Sequence, residues 1–292
     1  MATQILSQRF EKKEELTTLK KIVVAYDFSE AADRALTDAM ALSRRFQAAL
    51  ILAHAEVPRK GILHTEKRAL KDKETRADLS ALRRRVAAGG LECRERTRSG
   101  DVARVLVGIA EDEDADLLLI GAYGNGPKDR RTLGSTAEKL LRSLRCPIMI
   151  YGPEAFKPAF QDDPLDLLVP IEFLANSHSL ALAVNASKLL HARVDILHVV
   201  DVRKTPSMPE AALDTQYNCE LVASYLRKEG LRVSQSLLFG RPDLVIIERS
   251  REMHSSLILL PLGSREHLTS DNVAASVVRN AAVPVMTCRI DA

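Results

Sequence analysis

One short run of glycine and serine has the spacing of a backbone that binds phosphate. Gly121 and Gly124 follow the apolar residues 117–120, and nine residues later come Gly134 and Ser135. Glycine has no Cβ, so a charged ligand can approach the backbone closely. Ser135 opens a predicted helix, whose unpaired N–H groups and dipole favour an anion. The spacing differs from the Walker loop and the dinucleotide-binding turn. The alternative is two loops that need glycine only for their turns.

Length and composition exclude several classes of protein. The 292 residues suffice for two ordinary domains, and 46% hydrophobic and 28% charged residues are typical of a globular protein. A net charge of +3 is too small to indicate nucleic-acid binding. No stretch approaches the ~20 apolar residues of a membrane span, and the polar N-terminus has no signal core. We expect no nucleic-acid or membrane partner and a cytoplasmic location.

The cysteines do not indicate a metal or redox site. Cys93, Cys146, Cys219 and Cys288 lie far apart, and none belongs to a CxxC pair. Cys93, Cys146 and Cys288 fall in predicted strands, where buried free thiols are common. We therefore interpret them as packing residues.

The chain repeats one order of predicted elements. In the first half, strands are predicted at 21–26, 49–55, 91–98, 117–120 and 147–151, and helices at 31–46, 67–88, 102–111 and 135–144. In the second half, strands are predicted at 165–171, 194–200, 231–238, 256–260 and 284–289, and helices at 179–190, 213–228, 242–251 and 272–280.

Short apolar strands that alternate with helices predict parallel sheets covered on both faces. The predicted fold is therefore α/β, with two doubly wound, Rossmann-like, five-stranded domains in tandem. The predicted units are an N-terminal extension (1–19), a first domain (20–152), a linker (153–164) and a second domain (165–292). Ligands of such sheets bind beyond the carboxyl ends of the strands, where the glycine run and Asp27 both lie.

Three segments together resemble the universal stress protein family in its tandem form. They are AYDFS at 25–29, LAHA at 52–55, and the pattern G-x-x-G-x9-G-[ST] over 121–135, which matches the ATP-binding subclass. The resemblance covers nearly the whole chain. It implies a nucleotide, ATP (or AMP or ADP), bound with Mg²⁺ or Mn²⁺.

The family's binding residues carry over to seven positions. The resemblance assigns the adenine end to Asp27, the backbone beside the base to Ala55, the ribose and phosphates to Gly121 and Gly124, and the phosphates to Gly134, Ser135 and Thr136. A buried carboxylate needs hydrogen-bond partners, which an exocyclic amine or ribose hydroxyls supply. The alternative for Asp27 is a helix N-cap, a role for which Ser29 competes.

Neighbouring residues leave alternatives open. Tyr123 stands where the family often has histidine. Arg130 and Arg131 either reach a phosphate or are solvated loop charges. His54, at the end of an apolar strand, is interpreted as a satisfied core or rim histidine.

The second half has lost the nucleotide pattern. Glu172 replaces Asp27, the segment PLGS at 261–264 replaces the first two glycines, and Asp271-Asn272 stand where Gly134-Ser135 would be. A carboxylate at Asp271 repels phosphate. We therefore predict one nucleotide per chain. In the family, domains pair through their last strands, which here implies an intramolecular pseudo-dimer that joins 147–151 to 284–289.

The sequence favours an ATP-binding stress-response regulator without catalytic residues. Phosphoryl transfer needs metal ligands and an oriented nucleophile, and only Asp27 and Asp129 lie near the motif. A slow metal-dependent ATPase that uses one of these acids is the first alternative, and a nucleotide-free interaction module is the second. A homodimer and an unidentified protein partner are also expected.

Overall fold

The structure is a computed structural model. It describes residues 16–57, 66–123, 135–144, 146–161, 164–170, 177–201, 203, 219–260, 262–263, 273–287 and 289–290.

Strands and helices alternate in the first half, as predicted. The strands are β1 (Lys21–Ala25), β2 (Ala49–Glu56), β3 (Cys93–Ser99), β4 (Leu117–Gly121) and β5 (Ile148–Tyr151). The helices are α1 (Glu30–Phe46), α2 (Glu66–Ala88), α3 (Val102–Asp112) and α4 (Ser135–Ser143).

The second half repeats this order. Its strands are β6 (Asp166–Pro170), β7 (Arg193–Val200), β8 (Arg232–Phe239), β9 (Leu257–Leu259), β10 (Leu262–Gly263), β11 (Val285–Thr287) and β12 (Arg289–Ile290). Its helices are α5 (Ser177–Leu189), α6 (219–228), α7 (Pro242–Glu252) and α8 (Val273–Asn280). The first part of the helix predicted at 213–228 lies outside the described residues.

Helix α1 shows how local sequence sets an element. Ser29 is its N-cap, and the Ser29 hydroxyl accepts a hydrogen bond from the Ala32 N–H at 3.2 Å. Buried residues recur at helical spacing, among them Leu36 and Leu42, so that one face meets the sheet. The helix ends at Gln47, which adopts the left-handed conformation common after a helix.

Ten of the described strands form one sheet in the order β3-β2-β1-β4-β5-β11-β9-β6-β7-β8. Each half contributes five neighbouring strands, which pair in parallel. The two halves meet where β5 and β11 pair antiparallel, with Ile150 opposite Val285. This arrangement confirms the prediction of two doubly wound halves joined through their last strands.

Helices cover both faces of the sheet, and the core is continuous between the halves. On one face, Leu36 of α1 and Leu182 of α5 belong to the same buried cluster. On the other face, Ile109 of α3 and Ile258 of β9 share a second cluster. Burial of apolar surface therefore holds the halves together in addition to the strand pairing.

The segment predicted as a linker packs onto the first half. Ala159 and Phe160 are buried. The Asp38 carboxylate of α1 accepts hydrogen bonds from the Ala159 N–H at 2.9 Å and from the Tyr151 hydroxyl at 3.0 Å. Helix α1 thus fixes both the last strand of the first half and the segment that leaves it.

The structure differs from the prediction in three details. Within the strand predicted at 284–289, β11 and β12 belong to two different sheets, and Cys288 lies outside the described residues. Strands β10 and β12 pair in parallel as a separate 2-stranded sheet, which no local pattern indicated. Cys146 does not lie in a strand but two residues before the start of β5.

The described helices include no candidate membrane span. None combines the length and the apolar character that crossing a bilayer requires.

Candidate functional site

The predicted site lies where the direction of the first-half topology reverses. Strands β2 and β3 lie on one side of β1, and β4 and β5 lie on the other. The connections after β1 and β4 therefore leave the sheet in opposite directions and open a crevice at the carboxyl ends of these strands. Open α/β sheets bind ligands at such a switch point.

Asp27 forms a turn rather than a helix cap. Asp27 Oδ1 accepts a hydrogen bond from the Ser29 N–H at 3.1 Å, which closes an Asx turn around Phe28. Ser29 caps α1, so the N-cap alternative for Asp27 is wrong. The Asp27 side chain is half-buried at the end of β1.

The end of β2 lies beside this turn. Ala25 pairs with Ala53 in the last pair of the β1–β2 register, so Ala55 lies two residues further along β2, on the strand beside the Asp27 turn. Ala55 is half-buried, so its backbone borders the crevice. His54 Nδ1 lies 2.7 Å from the Tyr26 carbonyl oxygen, which confirms its interpretation as a satisfied rim histidine.

Gly121 ends β4 on the other side of β1. A Cβ added at Gly121 would lie 2.9 Å from the Cβ of Ala31 in α1, closer than such atoms pack. Glycine is therefore needed here for the approach of helix to strand, whether or not a ligand binds. Gly124, the second glycine of the run, lies outside the described residues.

Helix α4 begins at Ser135, as the motif requires. Ser135 is exposed and Thr136 is half-buried, so the first turn of α4 is accessible. The N–H groups of a first helical turn have no partner within the helix. Gly134, Arg130 and Arg131 lie outside the described residues.

Two residues near α4 were missed by sequence reasoning. Asp101 is the N-cap of α3, with Oδ1 accepting from the Arg104 N–H at 3.2 Å. Lys139, one turn after Ser135, donates to Asp101 Oδ2 at 2.9 Å. The hydrogen bond from Lys139 lowers the pKa of Asp101. An aspartate directly before a helical pattern is typical of an N-cap, so this role could have been predicted from the sequence. The pairing of Asp101 with Lys139 depends on the fold and could not.

An aromatic group at the end of β1 was also missed. The buried Tyr26 ring packs edge-to-face on Phe28 at 5.0 Å, and Phe28 packs in the same way on His54 at 5.8 Å. The Tyr26 hydroxyl donates a hydrogen bond to Asp33 in the first turn of α1. Burial and this bond raise the pKa of Tyr26 above its usual range.

We found no protein metal centre in the part of the chain that the structure describes. No group of three or more histidine, cysteine, aspartate or glutamate side chains is placed to hold a metal ion there. Asp129 lies outside those residues. Burial raises the pKa of the Cys93 thiol to about 11 and that of Cys146 to about 12, so both are protonated at neutral pH.

The family model described as "Universal stress protein family" matches residues 18–152 and again residues 166–289. The chain belongs to the universal stress protein family. The two matches correspond to the two halves of the sheet.

Named relatives share moderate identity with this family member. Universal stress protein Slr1230 of Synechocystis is 26% identical over 186 residues, which are 60% of this chain and 58% of that protein. Universal stress protein Rv2623 of Mycobacterium tuberculosis is 27% identical over 192 residues, 61% of this chain and 62% of its own length. Both matches span less than two thirds of the relative.

Solved structures of the family share the fold over nearly the whole chain. A universal stress protein from Archaeoglobus fulgidus has a TM-score of 0.70 at 16% identity, and the match covers 94% of this chain and 97% of that one. A putative universal stress protein from Pseudomonas aeruginosa has a TM-score of 0.66 at 16% identity, with 94% of each chain covered. These similarities establish the fold alone.

The second universal stress protein half differs at the corresponding edge. Gly100 and Gly240 precede α3 and α7 with φ of +156° and +147°, so Arg241 stands where the first half has Asp101. Arg241 makes two hydrogen bonds to Asp243, which also accepts from Ser276 at 2.8 Å. Burial opposes ionisation of Asp243, but these bonds lower its pKa overall.

The second-half segment that corresponds to the first two glycines takes part in strand pairing. Leu257 corresponds to Leu117 in the strand registers, so Leu262 and Gly263 correspond to Ala122 and Tyr123. In the second half these two residues form β10 and pair with β12. The backbone of Leu262 and Gly263 is therefore engaged in strand pairing within the chain. Glu172, Pro261, Ser264, Asp271 and Asn272 lie outside the described residues.

Proposed function

We propose that the chain is a nucleotide-binding stress-response regulator that holds one adenine nucleotide, ATP in the first instance, in its first half. The observation that carries the proposal is the parallel pairing of β2, β1 and β4, because Ala55 lies near the carboxyl end of β2, the Asp27 turn follows β1 and α4 follows β4 in the chain. Family membership supports the proposal, although a shared fold alone would not.

Each proposed role follows from the chemistry of its position. Carboxylates accept several hydrogen bonds, so the Asx turn of Asp27 is compatible with a ribose hydroxyl or an exocyclic amine. The backbone at Ala55 borders the base. Gly121 and Gly124 lie along the ribose and phosphates in this proposal.

The phosphates fit the start of α4. Gly134, Ser135 and Thr136 would present N–H groups and a hydroxyl to them, where the helix dipole is favourable. Mg²⁺ or Mn²⁺ would be held mainly by the phosphates and water, as is usual for these ions. Such an ion neutralises phosphate charge and requires no dedicated cage of side chains.

We propose that the second half is a structural partner. The pairing of β10 with β12 and the charge change from Asp101 to Arg241 support this role.

We further propose that the chain is divided into an extension (1–19), a first domain (20–152), a linker (153–164) and a second domain (165–292). We also propose a cytoplasmic location and an unidentified protein partner. A homodimer would form at the outer strands of the sheet, β3 and β8.

One observation favours a second candidate, the nucleotide-free interaction module. Gly121 has a packing reason for being glycine, namely the approach of Ala31. That glycine would therefore persist in a protein that had lost its ligand. Because of this, Gly121→Ala is a poor test of nucleotide binding.

Ser135→Asp is a sharper test, because its effects on folding and on binding have opposite signs. An acidic residue in the first turn of α4 favours the helix dipole and repels a phosphate. Asn272→Asp, at the aligned position of the second half, is the matched control. Native mass spectrometry of protein purified without nucleotide, followed by ATP titration in Mg²⁺, gives stoichiometry and affinity.

We expect one nucleotide per chain in the wild type and in Asn272→Asp. We expect at least tenfold weaker binding in Ser135→Asp with no loss of thermal stability. Two nucleotides per chain would contradict the structural role of the second half, and none at millimolar ATP would favour the interaction module. Metal-dependent release of phosphate that Ser135→Asp abolishes would indicate the ATPase.

A further inference from the structure

Phe28 combines two unusual properties. Its φ of +65° lies in the left-handed region, which is an outlier for a bulky side chain. Within the part of the chain that the structure describes, its side chain is also one of the few large apolar ones that are exposed, at 39%. A residue that is both strained and exposed contributes little to the core.

The Asx turn explains the backbone of Phe28 but not its side chain. The hydrogen bond from the Ser29 N–H to Asp27 closes the turn with Phe28 at its centre. Glycine or asparagine would adopt this conformation at lower cost. A bulky side chain kept at such a strained backbone position is typical of binding and catalytic sites.

The surroundings hold the Phe28 ring in one orientation. Tyr26 packs against it edge-to-face, with 72° between the ring planes, and His54 packs with 69°. Tyr26 is itself anchored by Asp33, and His54 by the Tyr26 carbonyl oxygen. T-shaped packing of this kind restricts the ring, and its 39% exposure leaves part of its surface accessible to a ligand.

We propose that Phe28 is the stacking surface for the nucleobase. This inference rests on the proposed function, because it assigns a residue of the same site. The ring lies at the carboxyl end of β1, between Asp27 and the α1 N-cap and next to the end of β2. Stacking on an aromatic face is tolerant of base identity, so Phe28 supplies affinity, and polar contacts select the base.

The test uses the full chain, ATP with Mg²⁺ as the probe, and variants that separate the ring from the turn. Phe28→Gly and Phe28→Asn suit the left-handed backbone and remove the ring. Phe28→Tyr keeps the ring and the strain. Thermal unfolding of the nucleotide-free variants checks that each is folded, and isothermal titration gives each Kd.

We expect ATP to bind about tenfold or more weakly to Phe28→Gly and Phe28→Asn, and within about twofold of the wild type to Phe28→Tyr. Contacts between the adenine protons and the ring, detected by NMR in the wild type, should accompany this pattern. Wild-type affinity in the glycine and asparagine variants would overturn the inference while leaving the proposed function intact. Failure of the wild type to bind ATP would overturn both.

Discussion

Asp195 and Arg249 form an ion pair where the first half has only hydrocarbon. Arg249 Nε donates to Asp195 Oδ2 at 2.9 Å, and the side chains are 21% and 5% exposed. Because Lys21 pairs with Ala49 and Asp166 with Arg193, Asp195 corresponds to Ile51. Counted from the starts of α3 and α7, Arg249 corresponds to Ile109.

This relationship predicts a strong asymmetry between single and double variants. Asp195→Ile removes the partner of a largely buried guanidinium and should lower the free energy of unfolding by about 3 kcal/mol. Adding Arg249→Ile recreates the apolar pair of the first half, and we expect it to recover most of that loss. Urea denaturation of the two single variants and the double variant measures the coupling.

Ser236, beside the ion pair of Asp195 and Arg249, supplies the control. Ser236→Ala removes a hydroxyl that accepts from Arg249 at 2.8 Å but leaves the charges paired. We expect it to cost about 1 kcal/mol. A double variant whose loss equals the sum of the single losses would show that the ion pair has no role of its own.

Gly152 is expected to be indispensable to the junction of the halves. A Cβ added there would lie 2.0 Å from the Val278 carbonyl oxygen of α8. Gly152→Ala must therefore separate β5 from α8, and we expect a loss of at least about 3 kcal/mol. The matched control is Gly108→Ala in α3, where the nearest atom is Arg98 Nη1 at 3.4 Å.

Because alanine is the better helix former, Gly108→Ala should be stabilising by up to about 1 kcal/mol. Thermal unfolding compares the two variants directly. Equal unfolding temperatures would mean that the halves tolerate a wider junction than the structure shows.

Asp101 is expected to act chiefly as a helix cap. Asp101→Ala removes both the cap of α3 and the ion pair with Lys139, and should cost about 1 kcal/mol. Asp101→Asn keeps a capping oxygen and loses only the ion pair. Because exposed ion pairs contribute little to stability, we expect this variant to be nearly as stable as the wild type. Lys139→Ala should match Asp101→Asn in thermal unfolding. A loss in Lys139→Ala as large as that in Asp101→Ala would assign the stability to the ion pair.

Sequence reasoning predicted the elements and their order because the signals are local. The run at β4 is wholly apolar, as a strand covered on both faces must be. The N-cap at Ser29 and the turn at Gly240 are likewise readable from residue type. Pairing of the last strands followed from the family resemblance, and the antiparallel register of Ile150 with Val285 bears it out.

Features that depend on distant contacts were not predictable. The sequence pattern predicts that Gly121 lines a ligand site. In the structure, a Cβ added at Gly121 would instead collide with Ala31, which lies 90 residues earlier in the chain. The pairing of β10 with β12 joins two short segments that are distant in the chain, and neither sequence identifies the other as its partner. The seven assigned site residues remain predictions, and Gly124 and Gly134 among them lie outside the described residues.

Asp38 predicts how stability depends on pH. The side chain is 1% exposed, and burial raises the pKa of its carboxyl from 3.8 to about 6 although Ala159 and Tyr151 donate to it. The folded state therefore binds more protons than the unfolded state between these values. It follows that this group's contribution to stability falls as pH rises from about 4 to about 6.

Asp38→Asn removes this titration and keeps the geometry. The amide oxygen can accept from the Ala159 N–H, and the NH₂ can donate to the Tyr151 hydroxyl oxygen. The free energy of unfolding of the variant, relative to wild type, should therefore rise by about 2–3 kcal/mol between pH 4 and pH 7. Urea denaturation at both pH values measures this difference. A difference that stays constant would mean that Asp38 titrates alike in the folded and unfolded states, and that water reaches its carboxylate despite the surrounding α1, β5 and linker residues.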